Sequence, residues 1–374
     1  MPEPLSIPTL VARRFLRRAQ LLDRPAESVG AALTHLGYVQ LDPLNICGRM
    51  HDLILRNRVA GYCEGDLLRH LYGGNGAAPP ASARLAFEHY LPRAGRNILV
   101  AFSVEAWPHL RARMRRRQTT PGTYGGRLPA AEARLADRIL DEIGRRGALT
   151  SDDIEHEARA RTAWGGPGRL VKIVLEKLFF HGRVLITRRE RFRRVYDLPE
   201  RVLAPASLQA AEPTPAESAR WLALLHLRQR RLTPVPRAEQ ALIADCIQAV
   251  TVPGCPPLFC LRDDVASLTE APAAADHDPG APLLLAPLDP LVCDRRLTHA
   301  LWDFDYTWEA YTPASRRRRG HYALPVLAPT GLVGHVNPKA DRPARRLRLT
   351  SRSVPRGHRV APAVRQLARF LGLR

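Results

Sequence analysis

The chain has 374 residues and is 45% hydrophobic, enough for a buried core and for two or three domains. No run of 18 uncharged apolar residues occurs, so a membrane-spanning helix is not expected. The start, Met1-Pro2-Glu3-Pro4, lacks the charged and apolar stretches of a secretion signal, and a cytoplasmic, nucleoid-associated protein is expected. The formal charge is +21, from 57 Lys+Arg against 36 Asp+Glu. Only Lys172, Lys177 and Lys339 are lysines, so the excess is arginine. A GC-rich genome enriches arginine by itself, but it does not tilt the balance against carboxylates this far. Such a field captures phosphate polyanions. The six cysteines are scattered, without a CxxC pair or a Cys/His quartet. A zinc site is therefore not expected, and the thiols read as small buried hydrophobes.

In chain order, residues 7–22 and 26–36 read as amphipathic helices. Val29, Leu33 and Leu36 recur near helical spacing, and Gly37 ends the second helix. A strand carrying Gln40-Leu41-Asp42 follows. Helix, helix, strand is the opening of a helix-turn-helix-like unit, and further helices at 64–72, 80–94 and 103–118 complete an N-terminal domain, 1–118. The Gly/Pro/Thr-rich stretch 118–128 is a linker. In the domain 128–200, residues 130–146 form a helix, Thr150-Ser151-Asp152-Asp153 supplies a capping box for a second, and 167–181 form a third. Strands at 183–187 and 192–196 complete a winged helix. The wing connection, Arg188-Arg189-Glu190-Arg191 followed by Arg193-Arg194, either contacts phosphates or a minor groove or is a solvated turn. A Pro/Ala-rich linker covers 201–218. Residues 215–270 read as a third winged-helix-like domain, and 271–282 is a break. The β-rich remainder, 283–374, has strands at 283–287, 322–327 and 332–337 and a closing helix near 362–371. The expected class is α+β: tandem winged-helix domains with a C-terminal β-rich domain.

The residues that carry chemistry begin with Gln40 and Asp42. Two apart on a strand, they share a face, and an amide beside a carboxylate can hold and deprotonate a water. The other reading is that Asp42 opens the turn at Asp42-Pro43 while Gln40 bonds to backbone. His51 is either a supporting site residue or a satisfied core histidine. Arg49 and Arg58 read as phosphate contacts, because arginine is seldom buried without a partner. The run Arg316-Arg317-Arg318-Arg319 is either a solvated face or a neutraliser of several phosphates. Trp302, Tyr306 and Trp308 read as core and rim packing.

Several fragments stand in a recognisable order: Val39-Gln40-Leu41-Asp42, Arg49-Met50-His51 with Arg58 downstream, and Phe192-Arg193-Arg194-Val195-Tyr196-Asp197-Leu198-Pro199-Glu200-Arg201-Val202. Pro287-Leu288-Asp289-Pro290-Leu291-Val292-Cys293-Asp294-Arg295 and Tyr311-Thr312-Pro313-Ala314 follow, then Gly320 and Leu324-Pro325-Val326. Together they resemble the YcaQ/AlkZ-like family of bacterial interstrand-crosslink DNA glycosylases. The resemblance implies three winged helices and a β domain shaping a cationic channel. It also implies removal of N7-alkylated purines, crosslinked ones included, through a Gln-apolar-Gln or Gln-apolar-Asp motif that Gln40 and Asp42 match. Asp42 is then the general base and Gln40 the residue that orients the water. No lysine lies near Gln40 in sequence, so a Schiff-base lyase step is not expected, and a monofunctional enzyme is. The expected partner is double-stranded DNA with alkylated or crosslinked purines. The protein is expected to be a monomer with no metal or other cofactor. The competing expectation is a winged-helix regulator without catalysis. A nuclease is disfavoured because no carboxylate cluster for Mg²⁺ is evident.

Overall fold

The structure is a computed structural model. It describes residues 3–74, 78–93, 95–122, 124–162, 166–190, 193–269, 282–329 and 331–374. It divides into two compact units, one discontinuous: Met1–Asp66 with Leu222–Arg374, and Leu67–Trp221. This division differs from the serial domains expected at 1–118, 128–200, 215–270 and 283–374. The physical reason lies in the first helix, Thr9–Ala19. Its buried face, Ala12, Phe15 and Leu16, shares one core with Val250, Leu258, Leu285, Leu291, Trp302 and Leu327, so the two ends of the chain bury each other's apolar surface.

In the first unit the strand Leu5–Ser6 pairs in parallel with Ile247–Thr251, which pairs antiparallel with Leu258–Leu261. A second, antiparallel sheet runs in the order Leu283–Leu284, Leu324–Ala328, Gly331–Asp341, Arg346–Ser353. The last of these strands was not expected, because its apolar alternation is only two residues long: Leu347 and Leu349 share a face, and Thr350–Ser353 adds no apolar residue. The register breaks between Asn337 and Pro338. Proline cannot donate to the ladder, and a bulge is where a strand tolerates it. The helix Ala361–Phe370 closes the unit.

The second unit departs from expectation in two places. Residues expected as a helix at 80–94 form instead the strand Ala86–Arg93, paired antiparallel with Arg96–Ser103. Phe87, Glu88, His89 and Leu91 are all buried, so both faces are covered and the period-2 signal is hidden. The helix expected after Thr150 is a turn. The side-chain bonds of a capping box do form, with Asp153 Oδ2 accepting from Thr150 N and Oγ1 at 2.7 Å each. The chain then enters the short hairpin Arg159–Arg161/Pro167–Arg169 instead. The helices Ala130–Arg146 and Leu170–Phe180 and the hairpin Leu185–Glu190/Arg193–Asp197 are present. Leu149 bridges Tyr196 as a third strand position. The stretch expected as a linker at 201–218 contains the short helices Pro199–Val202, in part, and Pro205–Gln209. The break at 271–282 lies, but for its last residue, outside the described residues.

Arg58 corrects the sequence reading. It is fully buried, and its two terminal nitrogens donate to the two carboxylate oxygens of Asp289 at 2.8 and 2.7 Å. It has no surface to offer a phosphate. Its neighbours Arg56 and Asn57 donate to Leu284 O at 3.2 and 3.0 Å, so three consecutive side chains fasten residues 56–58 to 284–289. Cutting one half of a buried pair leaves the other charge stranded, at a cost of about 3–5 kcal/mol. Arg58→Ala is therefore expected to lower unfolding free energy by about that amount, read by denaturant titration.

Candidate active site

The Gln40/Asp42 pair is positioned by a helix stop. Ser28 Oγ accepts from Ala31 N at 3.1 Å and caps the helix Val29–Leu36, a contribution of about 1 kcal/mol. Gly37 ends the helix at φ +81°, a left-handed conformation that favours glycine. Next, Tyr38 is buried, and its hydroxyl donates to Gln229 Oε1 at 3.2 Å. From Val39 the burial alternates. Val39 and Leu41 point into the core while Gln40 and Asp42 are half-exposed on the other side.

Both readings of Asp42 hold at once. Its Oδ1 accepts from Leu44 N at 2.9 Å, which is the turn that Asp-Pro opens. Its Oδ2 accepts no hydrogen bond from the described residues, and the Gln40 amide has no partner among them. Burial pushes the Asp42 carboxyl above its ordinary range, with the Leu44 N–H opposing part of the rise. Half-buried, with one oxygen committed and one available, this carboxylate is a stronger base than a solvated one.

The chain beyond Asp42 docks on the C-terminal sheet, where Ala340 N donates to Ile46 O at 3.0 Å. Three aromatic residues between positions 308 and 322 pack on one another. Tyr311 is 77% exposed and packs edge-on against Trp308, ring centres 5.5 Å apart. Trp308 in turn meets the buried Tyr322 at 6.2 Å. Both tyrosine pKa values are raised, by burial first, with Asp42 among the lesser causes. The loop that presents Tyr311 is built on Glu309. Its buried Oε2 accepts from Arg319 N at 2.8 Å and Gly320 N at 3.1 Å. Burial alone would raise the Glu309 pKa, but these backbone donors and the Arg319 charge hold it below the ordinary value. Neither Tyr311 nor Tyr322 was singled out from the sequence as a site residue. The one signal was that Tyr311 lies in a fragment shared with the resembled family.

The expected cationic contacts divide. Arg316 and Arg318 are exposed, whereas Arg317 Nε donates to Thr312 O at 2.8 Å and an Arg319 terminal nitrogen donates to Asp305 O at 2.8 Å. The latter two hold the loop rather than face outward. On the hairpin of the second unit, Arg193 is exposed and pairs with Asp152 at 3.1 Å. Arg188 pairs with Glu190 at 2.8 Å. Arg189 is bound to the fully buried Glu88, and Arg194 to Glu176 at 2.7 Å while lying over Phe179. As free phosphate ligands Arg189 and Arg194 are therefore corrected, since buried carboxylates already neutralise them. Arg191 lies outside the described residues. Arg49 is half-buried at the N-cap of the helix Met50–Leu55. His51, in that helix, is 3% exposed, with Nε2 3.7 Å from Asp52 Oδ2, and of its two readings the structure favours the interior one. Among the described residues no group of three or more His, Cys, Asp or Glu side chains is gathered for a metal ion, and no helix is long and apolar enough to cross a membrane.

Residues 33–372 match the family described as DNA glycosylase AlkZ-like. Among solved structures, the chain is similar to the Streptomyces sahachiroi DNA glycosylase AlkZ. The TM-score is 0.59 at 17% identity, over 98% of this chain and 96% of that one. At that identity the likeness speaks for the α+β fold.

The raised Asp42 pKa has a stability consequence. The folded state binds the Asp42 proton more tightly than the unfolded state, so its contribution is intact below the ordinary carboxylate pKa. It is lost as pH rises through the folded value. Asp42→Asn retains an oxygen for the Leu44 N–H and removes this loss. Thermal denaturation between about pH 4 and about pH 7 is expected to show the variant equal to the parent at the acid end. At neutral pH it should be equal or more stable.

Proposed function

The chain belongs to the AlkZ-like DNA glycosylase family and is a DNA glycosylase rather than a non-catalytic regulator, and from that premise we propose that it hydrolyses the N-glycosidic bond of bulky N7-alkylated purines, interstrand crosslinks included. The observation that carries this reading is the half-exposed Asp42 with one uncommitted oxygen, two residues from a Gln40 amide that is also uncommitted.

An N7-alkylated purine is cationic, so it departs as a neutral base without a general acid. What remains is a sugar cation and a water. Asp42 Oδ2 takes the water proton as the new C–O bond forms, and its negative charge faces the developing oxocarbenium. Gln40 offers both an acceptor and donors, and so orients the water without adding charge. A second carboxylate in its place would raise the Asp42 pKa further by like-charge repulsion.

A crosslinked base remains bonded to the opposite strand and cannot be extruded fully into a closed pocket. The half-exposed position of the pair suits such a substrate. Tyr311, presented on a braced loop, provides an aromatic face for an unstacked base. The exposed Arg316 and Arg318 extend the same loop toward phosphates. The helices Ala130–Arg146 and Leu170–Phe180 with their hairpin we read as a winged helix that presents Arg193 and Arg188 to the duplex. The protein is read as acting as a monomer without a cofactor.

Incubation with duplex DNA carrying N7-methylguanine or a nitrogen-mustard crosslink is expected to release base and leave an alkali-labile abasic site. Asp42→Asn is expected to slow release by at least about 100-fold while duplex binding persists. Borohydride should trap no covalent complex. Binding without release by the parent protein would refute the assignment. Removing Arg316 and Arg318 together is expected to flatten the slope of log affinity against log salt by about 2, with folding unchanged. The pair Arg317→Ala and Arg319→Ala should instead lower thermal stability.

A further inference from the structure

On the second unit, one side of the helix Trp107–Thr119 carries charge that the described residues leave unanswered. On its other side the arginines are answered. Arg111 donates to Leu208 O at 2.8 Å, and Glu212 pairs with both Arg111 and Arg115. Arg113, Arg116 and Arg117 stand three and four residues apart and share the opposite side. Arg113 and Arg116 are exposed, and none of the three has an ion-pair partner among the described residues. Like charges at this spacing repel. Arg117 is pushed down to about 10, by burial first and then by the Arg113 charge. The helix dipole favours cations in the last turn. That accounts for Arg116 and Arg117 but not for Arg113, one turn earlier.

An aromatic ring is held out beside these cations. Arg127 N donates to Thr120 O at 2.8 Å, which draws the ends of the segment 120–127 together. Gly125, at φ +75°, packs its backbone on the Phe180 ring, where a Cβ would lie 2.5 Å from Cγ. Gly126 O accepts from His181 Nε2 at 3.0 Å. Tyr124, next to these anchors, is 49% exposed and meets Phe180 edge-on, ring centres 5.5 Å apart. The Arg117 guanidinium lies 4.3 Å from the centre of the same Phe180 ring and donates to Asn97 Oδ1 at 2.5 Å. The buried Phe180 thus brings the exposed tyrosine and the unanswered cations to one place.

We propose that Tyr124, Arg113 and Arg116 form a binding site for unpaired, single-stranded DNA, the ring stacking one base and the guanidiniums meeting the neighbouring phosphates. Single strands are held by this combination of an aromatic face and a cationic track. A duplex conceals its base faces and would leave the ring unused. An acidic protein surface would answer the charge but has no base to stack. The site lies in the second unit, and the proposal is independent of the chemistry assigned to Gln40 and Asp42 in the first.

The full chain is mixed with an oligothymidylate of about eight nucleotides carrying one 5-iodouracil and irradiated in the near ultraviolet. The crosslink is expected at Tyr124, within the tryptic peptide 118–127, and needs no variant. Tyr124→Leu keeps an apolar group against Phe180 but no flat face. It is expected to weaken oligothymidylate binding at least about fivefold without changing the salt slope, while Tyr124→Trp holds the parent affinity. Arg113→Gln with Arg116→Gln is expected to flatten the slope of log affinity against log salt by about 1.4. Release of N7-methylguanine from a duplex by Tyr124→Leu should match the parent. A parent protein that releases no base would sink the substrate assignment and leave this site standing. A crosslink confined to other peptides would overturn the proposal. So would an equal loss of affinity for a blunt duplex of the same length, or displacement by polyglutamate as effective as by unlabelled oligothymidylate.

Discussion

A guanidinium and a carboxylate, both without solvent exposure, hold the first unit together. Arg58 and Asp289 are 231 residues apart, and their two parallel hydrogen bonds close the loop between the start of the chain and its C-terminal third. Burying both charges is costly, and only near-ideal bidentate geometry offsets that cost. The gain is in geometry as much as in energy. Arg58 O also accepts from Ala26 N at 2.7 Å, which ties the approach to the helix Val29–Leu36, and that helix delivers Gln40 and Asp42. The position of the Asp42 carboxylate is thus tied to an ion pair buried elsewhere in the same unit.

The same chemistry recurs and changes what the arginine excess means. Arg189 with Glu88, Arg194 with Glu176, and Arg319 with Glu309 place arginine charge against carboxylates that are themselves mostly buried. At Glu88, burial works to raise the pKa, but Arg189 and Arg194 outweigh it and the carboxyl is held below its ordinary value. Tyr72 adds a hydrogen bond to the same carboxylate. A net charge of +21 therefore counts two populations. One braces loops and cores from within. The other, Arg316 and Arg318 among them, faces solvent. Only the second can set the salt dependence of DNA binding.

The site itself is economical in charge. One Asp42 oxygen accepts from the turn that fixes its backbone and the other has no partner among the described residues, while Gln40, two residues away, carries no charge. Neutral neighbours can orient a water without shifting the carboxyl further from ionisation.

Much of this was determined by the sequence alone. Gly37 marked the helix stop, and the alternation Val39-Gln40-Leu41-Asp42 put two polar groups on one side of a short strand, because backbone preference and period-2 burial are local. The helices at 130–146 and 170–180 were legible for the same reason. What only the tertiary structure decided was which partner each charge takes. Arg58 and Arg316 look alike in one dimension; one is locked to Asp289 from far along the chain and the other is exposed. The strand at 86–93 was misread as helix because burial on both faces erased its alternation. Tyr322 became distinctive only when folding buried its hydroxyl without a hydrogen-bond partner among the described residues. Pairing and desolvation depend on what the distant chain brings alongside, and no local pattern of residues encodes that.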